Sequence, residues 1–472
     1  MNDIFDNSED TELTDDNNQC SSNDDYNNLK HNQQDESILN SESLELLIDG
    51  LIEKKNFSKA LELSEKLIKH YPFSSEALSK KAIILDHLGR FSDALNYFDK
   101  ALLYNPYDTE ILINKGMTLD NSGNYDASIE TYIKVLHLEP EHIEAMFNLG
   151  LIYERTEDFE QAIKYFKKVL EIKSNYTDAY YELGYCYDFL DELDKSINYY
   201  DKHIELSPTN HNAWYNRGIV LNRQGKLLKA IESYEICLAL KNNFAPAYFN
   251  CGNAYATLGR LYKAIEYYGN ALKLRDRDSF THYNIGNAYE ELGEHNIAIE
   301  HYSRAIEYDS KNFELFLTRG KCYHNKGEYE SALKDFDSAL ILQKDYFEIW
   351  YSKAETELAT GKINDALDSF EMVLQLDENN YDAWFDYGCT LMDYKKYKRA
   401  LEAFDKAIKH NPNWAEPYYE KAKIYFLTSE IENGLEMIEI AFTLNPKDRF
   451  DFNFETDWKK VTNFLLTREI KS

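Results

Sequence analysis

The sequence predicts an all-α fold, a solenoid of stacked helix pairs made by repeating one unit along most of the chain. Three observations carry that prediction. A 34-residue register starts at Ser41 and runs without a slip through twelve blocks to Asp448. Inside each block, apolar residues recur at spacings of three and four, the period of an α-helix. Two columns of the register hold small residues almost throughout, as helices that cross at close range require.

Residues 1–40 precede the register. They hold 11 acidic residues against one lysine, Lys30, and are otherwise rich in Asn and Ser. Such a segment buries too little apolar surface to offset its chain entropy, so a disordered acidic tail is expected. The blocks then begin at 41, 75, 109 and every 34 residues up to 415. Their twentieth position reads Ala60, Ala94, Ser128, Ala162, Ser196, Ala230, Ala264, Ala298, Ala332, Ala366, Ala400 and Gly434. The eighth is Gly in eight blocks and Ala at 82, 354 and 422, with Ile48 the exception. A helical glycine costs about 1 kcal/mol against alanine, so its recurrence marks a close helix approach.

A Gly or polar turn near the fifteenth position, as at Gly123, Gly259 and Gly327, splits each block into two helices. Prolines such as Pro72, Pro106, Pro140 and Pro446 close the second. Aromatics at the fourth and twenty-fourth positions, among them Trp214, Trp350, Phe98 and Tyr268, read as core. Nine blocks carry an acid at their second position, where a first-turn carboxylate complements the helix dipole. Residues 449–472 leave the register. There Trp458, Val461, Phe464 and Leu465 form the apolar face of a short capping helix, expected to cover the end of block twelve.

The formal net charge is −31. Phosphates would be repelled, so nucleic acid is not an expected partner, and a basic protein or peptide is favoured. Six cysteines occur with no CxxC spacing and read as buried free thiols. The first residues carry no basic stretch followed by an apolar one, and no run approaches the length of a membrane span. A cytoplasmic protein without membrane insertion is expected. The twelve histidines form no HExxH and no Cys–His pair at metal-ligand spacing; His295 and His301 fall on different helix faces. Phosphate-binding glycine loops and GxSxG are missing too. No catalytic residue, metal ligand or cofactor is nominated, and an enzyme is not expected.

The columns Trp/Tyr at 4, Gly at 8, Tyr at 11, Ala at 20, Phe/Tyr at 24, Ala at 27 and Pro at 32 resemble the tetratricopeptide repeat family. The resemblance covers 41–448, with Ser64, Ile438 and Glu357 as local departures. It implies a right-handed superhelix whose first helices line a concave groove, the sixth position of each block facing it. That position holds Asn114, Asn148, Asn216, Asn250 and Asn284, and the ninth adds Asn253 and Asn287. An amide donates and accepts, so this ladder can clasp the backbone of an extended peptide, or serve only as polar filler. The fifth position is often aromatic, as in Phe147, Tyr215, Phe249 and Tyr283. These rings would either contact a ligand or bury themselves against the next block.

Members of the family that grip the C-terminal carboxylate of heat-shock chaperones use a lysine at position 5. Here Asn253 and Asn284 match that mode, but Phe249 replaces the lysine, and neither Phe280 nor Asn284 supplies the further basic pair. That ligand is not expected. The resemblance implies a protein-interaction scaffold or adaptor for extended, neutral-to-basic segments. A substrate-recruiting subunit of a separately encoded transferase or protease is the alternative.

Overall fold

The computed structural model describes residues 41–445. The expected acidic tail and capping helix lie outside them. Twenty-four α-helices and no strand occur among the described residues. Each block forms two antiparallel helices, as with Ser75–His87 and Phe91–Tyr104, or Ser279–Glu291 and His295–Tyr308. First helices occupy positions 1–13 and second helices 17–30, apart from Phe313–Lys326, one residue longer, and Glu416–Leu427, one shorter. Side-chain oxygens cap many first helices, among them Asp108, Asn380 and Ser74, and Asp158 caps a second helix in the same way.

The turn at position 15 has one conformation throughout. Its residue takes positive φ whether it is glycine, as Gly89, Gly123 and Gly259, or not, as Lys55, Glu157, Asp191, Lys395 and Ser429. A left-handed residue is what lets the second helix reverse on the first, and glycine adopts it at least cost.

The chain divides into two compact units at Leu221/Asn222. Within each, a first helix packs on the second of its own repeat, and that second helix packs on the first of the next. The core lies between these layers. In the first unit Phe98, Tyr132, Phe166 and Tyr200 are almost wholly buried, and in the second Tyr268, Tyr302, Phe336, Phe370 and Phe404. All belong to position 24. Position 20 is equally buried, from Ala60 to Ala400.

Ion pairs sixteen residues apart staple neighbouring repeats on the outside of this core. Lys115 meets Asp99 at 2.6 Å and Arg217 meets Asp201 at 2.6 Å in the first unit; Lys353 meets Asp337 at 2.7 Å in the second. Each is worth about 0–1 kcal/mol. The described cysteines are free; Cys186, Cys237, Cys251 and Cys322 are buried and Cys389 half-buried.

Candidate functional site

The site begins with the contact that glycine at position 8 permits. A Cβ there would fall 2.5–2.9 Å from the ring at position 24 in the same repeat. The bare backbone lets that ring lie across the first helix. A phenylalanine ends at this point. A tyrosine carries its hydroxyl past the glycine, toward the face that bears positions 6 and 9.

The asparagines meet those hydroxyls. Tyr268 donates to Asn253 Oδ1 at 2.7 Å, and Tyr302 to Asn287 Oδ1 at 2.8 Å. The next repeat's amides, Asn148 and Asn216, lie beside the hydroxyls of Tyr132 and Tyr200. Asn216 also donates to the Tyr181 hydroxyl at 2.8 Å, and Asn284 to Asn253 Oδ1 at 3.3 Å. A buried hydroxyl left unmatched costs about 1–3 kcal/mol, so these amides have internal work. The columns carry the same logic. Tyr132, Tyr200, Tyr234 and Tyr268 are each followed, in the next repeat, by an asparagine at position 6. Phe166, Phe336, Phe370 and Phe404 are followed by Glu182, Ser352, Asp386 and Glu420. Phe98 before Asn114 and Tyr302 before Thr318 depart from the rule.

All eleven nominated residues are half-buried. The first unit holds Asn114, Phe147, Asn148, Tyr215 and Asn216, and the second holds Phe249, Asn250, Asn253, Tyr283, Asn284 and Asn287. The fifth-position rings lean on the ring at position 24 of their own repeat, and Phe147 and Tyr283 also belong to core clusters that include residues of the next block. Phe147 lies 5.5 Å from Phe166, Phe249 5.9 Å from Tyr268 and Tyr283 6.0 Å from Tyr302, centroid to centroid. Each amide has donor and acceptor capacity beyond the bonds described.

A cavity of about 570 Å³ opens elsewhere in the second unit, where positions 2, 5, 6 and 9 of neighbouring first helices converge. Its walls are aromatic: Phe347, Tyr351, Phe385 and Trp414. Phe385 and Trp414 lie 4.6 Å apart. Four carboxylates, Glu348, Glu355, Asp382 and Asp386, face it against one cation, Lys321. The Tyr351 hydroxyl donates to Asp386 Oδ2. Burial pushes the Asp386 and Glu355 carboxyls above their usual range, with further help from neighbouring acids. A cation entering here would relieve both. Position 24 is Phe370 and Phe404 in these repeats, so no hydroxyl from that column reaches the position-6 residues, and the one on Asp386 comes from Tyr351 at position 5.

The first unit has a smaller acidic feature. Burial pushes the Glu154 carboxyl up to about 7 and that of its hydrogen-bonded neighbour Glu182 well above the usual range. The Cys186 thiol points at Glu154 Oε2, 3.8 Å away. No helix among the described residues is long and apolar enough to cross a membrane.

Sequence signatures described as "Tetratricopeptide repeat" match residues 177–210, 199–232, 245–278, 279–312, 313–346 and 357–424. The signature "Psidin, N-terminal TPR repeats region" matches 48–181. A search of curated proteins finds no match. Similar solved structures include the C-terminal part of a TPR repeat-containing protein from Cytophaga hutchinsonii, 17% identical, with a TM-score of 0.46, covering 50% of this chain and 96% of that one. The Cut9–Hcn1 hetero-tetramer of APC/C is 13% identical and covers 87% and 95%, with a TM-score of 0.37. YrrB, titled "a TPR protein with an unusual peptide-binding site", is 21% identical and covers 39% and 95%, with a TM-score of 0.36.

Proposed function

This chain belongs to the tetratricopeptide repeat family, and from that premise we propose that it is a protein-interaction scaffold holding extended, neutral-to-basic polypeptide segments. The observation that carries the reading is the aromatic and acidic cavity of the second unit. Rings such as Trp414 and Phe385 offer flat apolar contact and attract a cation over their faces. Asp386 and Glu355 supply the charge that a lysine or arginine side chain would meet, with their raised protonation tendency suppressed by that side chain. Ladder amides in each unit, notably Asn148 and Asn284, hold backbone groups of the bound segment with the capacity their tyrosines leave.

The surplus of 83 acidic over 52 basic residues steers such a segment in and speeds its encounter. It also repels nucleic acid. A chaperone C-terminal carboxylate would meet Phe249 rather than a cation. The role is binding, without a reaction of its own, and the free described thiols suit a reducing, cytoplasmic setting.

The test is fluorescence anisotropy with short labelled peptides of basic, neutral and acidic composition, with tryptophan emission followed in parallel. Basic peptides are expected to bind, more weakly as salt rises. Asp386→Asn with Glu355→Gln should weaken them about tenfold, the loss of one charge-assisted contact. Absence of binding by every basic and neutral peptide, or tighter binding by acidic ones, would overturn the reading.

A further inference from the structure

At the junction of repeats eight and nine, three side chains of different chemistry meet. Glu290 ends the helix Ser279–Glu291, His295 opens the helix His295–Tyr308, and Cys322 comes from Phe313–Lys326 of the next repeat. One carboxylate oxygen, one imidazole nitrogen and the thiol sulfur all lie within 4.8 Å of one another. Cys322 Sγ is 3.7 Å from His295 Nδ1, the separation of two donors on one metal. We propose that Glu290, His295 and Cys322 bind a single zinc ion, with water or a partner's group completing a tetrahedral set.

The donor set is what argues for zinc. A thiolate, an imidazole and a carboxylate together suit a borderline cation and disfavour calcium or magnesium, which take oxygen. Three protein ligands leave one position open. The carboxylate is already held in place: Glu290 Oε2 lies 2.7 Å from the Tyr302 hydroxyl, which shares its one proton between this oxygen and Asn287 Oδ1, and Asn325 Nδ2 donates to Oε1 at 3.4 Å. Such outer partners orient metal ligands. Cys322 is buried, while Glu290 and His295 are half-buried and give the ion its way in. The thiol loses its proton to solvent as sulfur takes the metal. Burial and the Glu290 carboxylate push the free thiol up, with Lys326 only partly opposing them, so the metal itself must drive the proton off.

The repeats contain their own control. In the first unit, at the junction of repeats four and five, Glu154 and Cys186 occupy the same register positions, with Sγ 3.8 Å from Glu154 Oε2. There Phe159 stands where His295 stands in repeat eight. Two of the three ligands are present, and the imidazole is missing. The proposal assigns metal to the histidine-bearing junction alone.

Cobalt(II) is the probe, added to the reduced, chelator-treated full chain. A thiolate-to-cobalt charge-transfer band saturating at one equivalent, and displaced by zinc, is expected. Cys322→Ser and His295→Phe should abolish the band; the second substitution copies repeat four and is compatible with the fold. Asn325→Ala should weaken cobalt about tenfold. Cys186→Ser should leave the band unchanged. No charge-transfer band in the wild-type chain, or a band that survives Cys322→Ser or disappears with Cys186→Ser, would overturn the assignment.

Discussion

Substituting Gly286 by alanine tests the link between glycine, tyrosine and asparagine. The new Cβ would fall 2.5 Å from Tyr302 Cε1 and 2.7 Å from Cδ1. Carbon atoms rest about 3.5–4.0 Å apart, so the ring must withdraw by roughly 1 Å. It is fully buried, and its hydroxyl is tied at 2.8 Å to Asn287 and at 2.7 Å to Glu290. Overpacking costs about 1–3 kcal/mol, and straining the bond to the carboxylate adds about 1.5–3. Relief of the glycine's helix penalty returns about 1. The expected net loss is about 1.5–5 kcal/mol.

Gly388→Ala is the comparison. Its Cβ would lie 2.7 Å from Phe404 Cε1, but that ring has no hydroxyl to hold it, so the loss should be about 0–2 kcal/mol. The sequence points the same way. Ala82 and Ala354 sit opposite Phe98 and Phe370, whereas Tyr132, Tyr200, Tyr234, Tyr268 and Tyr302 all face glycine. A repeat array need not unfold as one unit, so the measurement is hydrogen exchange of amides within Ser279–Tyr308 and Tyr381–His410. Equal penalties at the two glycines, or a Tyr302→Phe background that fails to lower the Gly286→Ala penalty, would refute the reasoning.

Two further outcomes are expected. Glu157 holds φ 62° at the turn that Gly259 occupies with φ 69°. Glu157→Gly should stabilise the first unit by about 1 kcal/mol and Gly259→Ala should destabilise the second by a similar amount, read from hydrogen exchange of amides in the helices flanking each turn; opposite signs would remove the strain argument. The Glu154 carboxyl, raised to about 7 by burial, keeps its proton in the folded chain where an unfolded glutamate has lost it. Its contribution is therefore complete below about pH 4.5 and lost as pH rises through 7, about 1–3 kcal/mol in all. Urea unfolding of wild type and Glu154→Gln at acidic and alkaline pH checks this, and identical pH slopes for the two would contradict it.

The helix pairs were readable because each repeat states them again: a small residue at position 8, another at 20 and a break at 15 leave one arrangement of two helices. The left-handed turn was half readable. Glycine announced it in seven repeats, while Lys55, Glu157, Asp191, Lys395 and Ser429 adopt it with no residue type to signal it. The asparagine ladder was visible as a column, but its internal partners were not, because the explanation lies in a second column one repeat back. Comparing positions 24 and 6 across the array would have found it. The cavity lined by Asp386 and Trp414 lies outside the nominated residues, since position 6 of its repeats carries no asparagine. Cys322 and His295 stand 27 residues apart, a separation set by stacking of neighbouring repeats rather than by any local motif.

Repeats seven and eight differ from three and five in one respect, with consequences for how such an array can grow. Beside the Tyr132 and Tyr200 hydroxyls stand amides of the following repeat, Asn148 and Asn216. A gene duplication that inserted new sequence between them would take that amide away from a buried hydroxyl. Tyr268 and Tyr302 find Asn253 and Asn287 within their own 34 residues. These two tiles are self-sufficient. As far as that hydroxyl is concerned, they can be copied, moved or joined in series whatever repeat stands on their C-terminal side, and an engineer lengthening this solenoid would take residues 245–312 as the cassette.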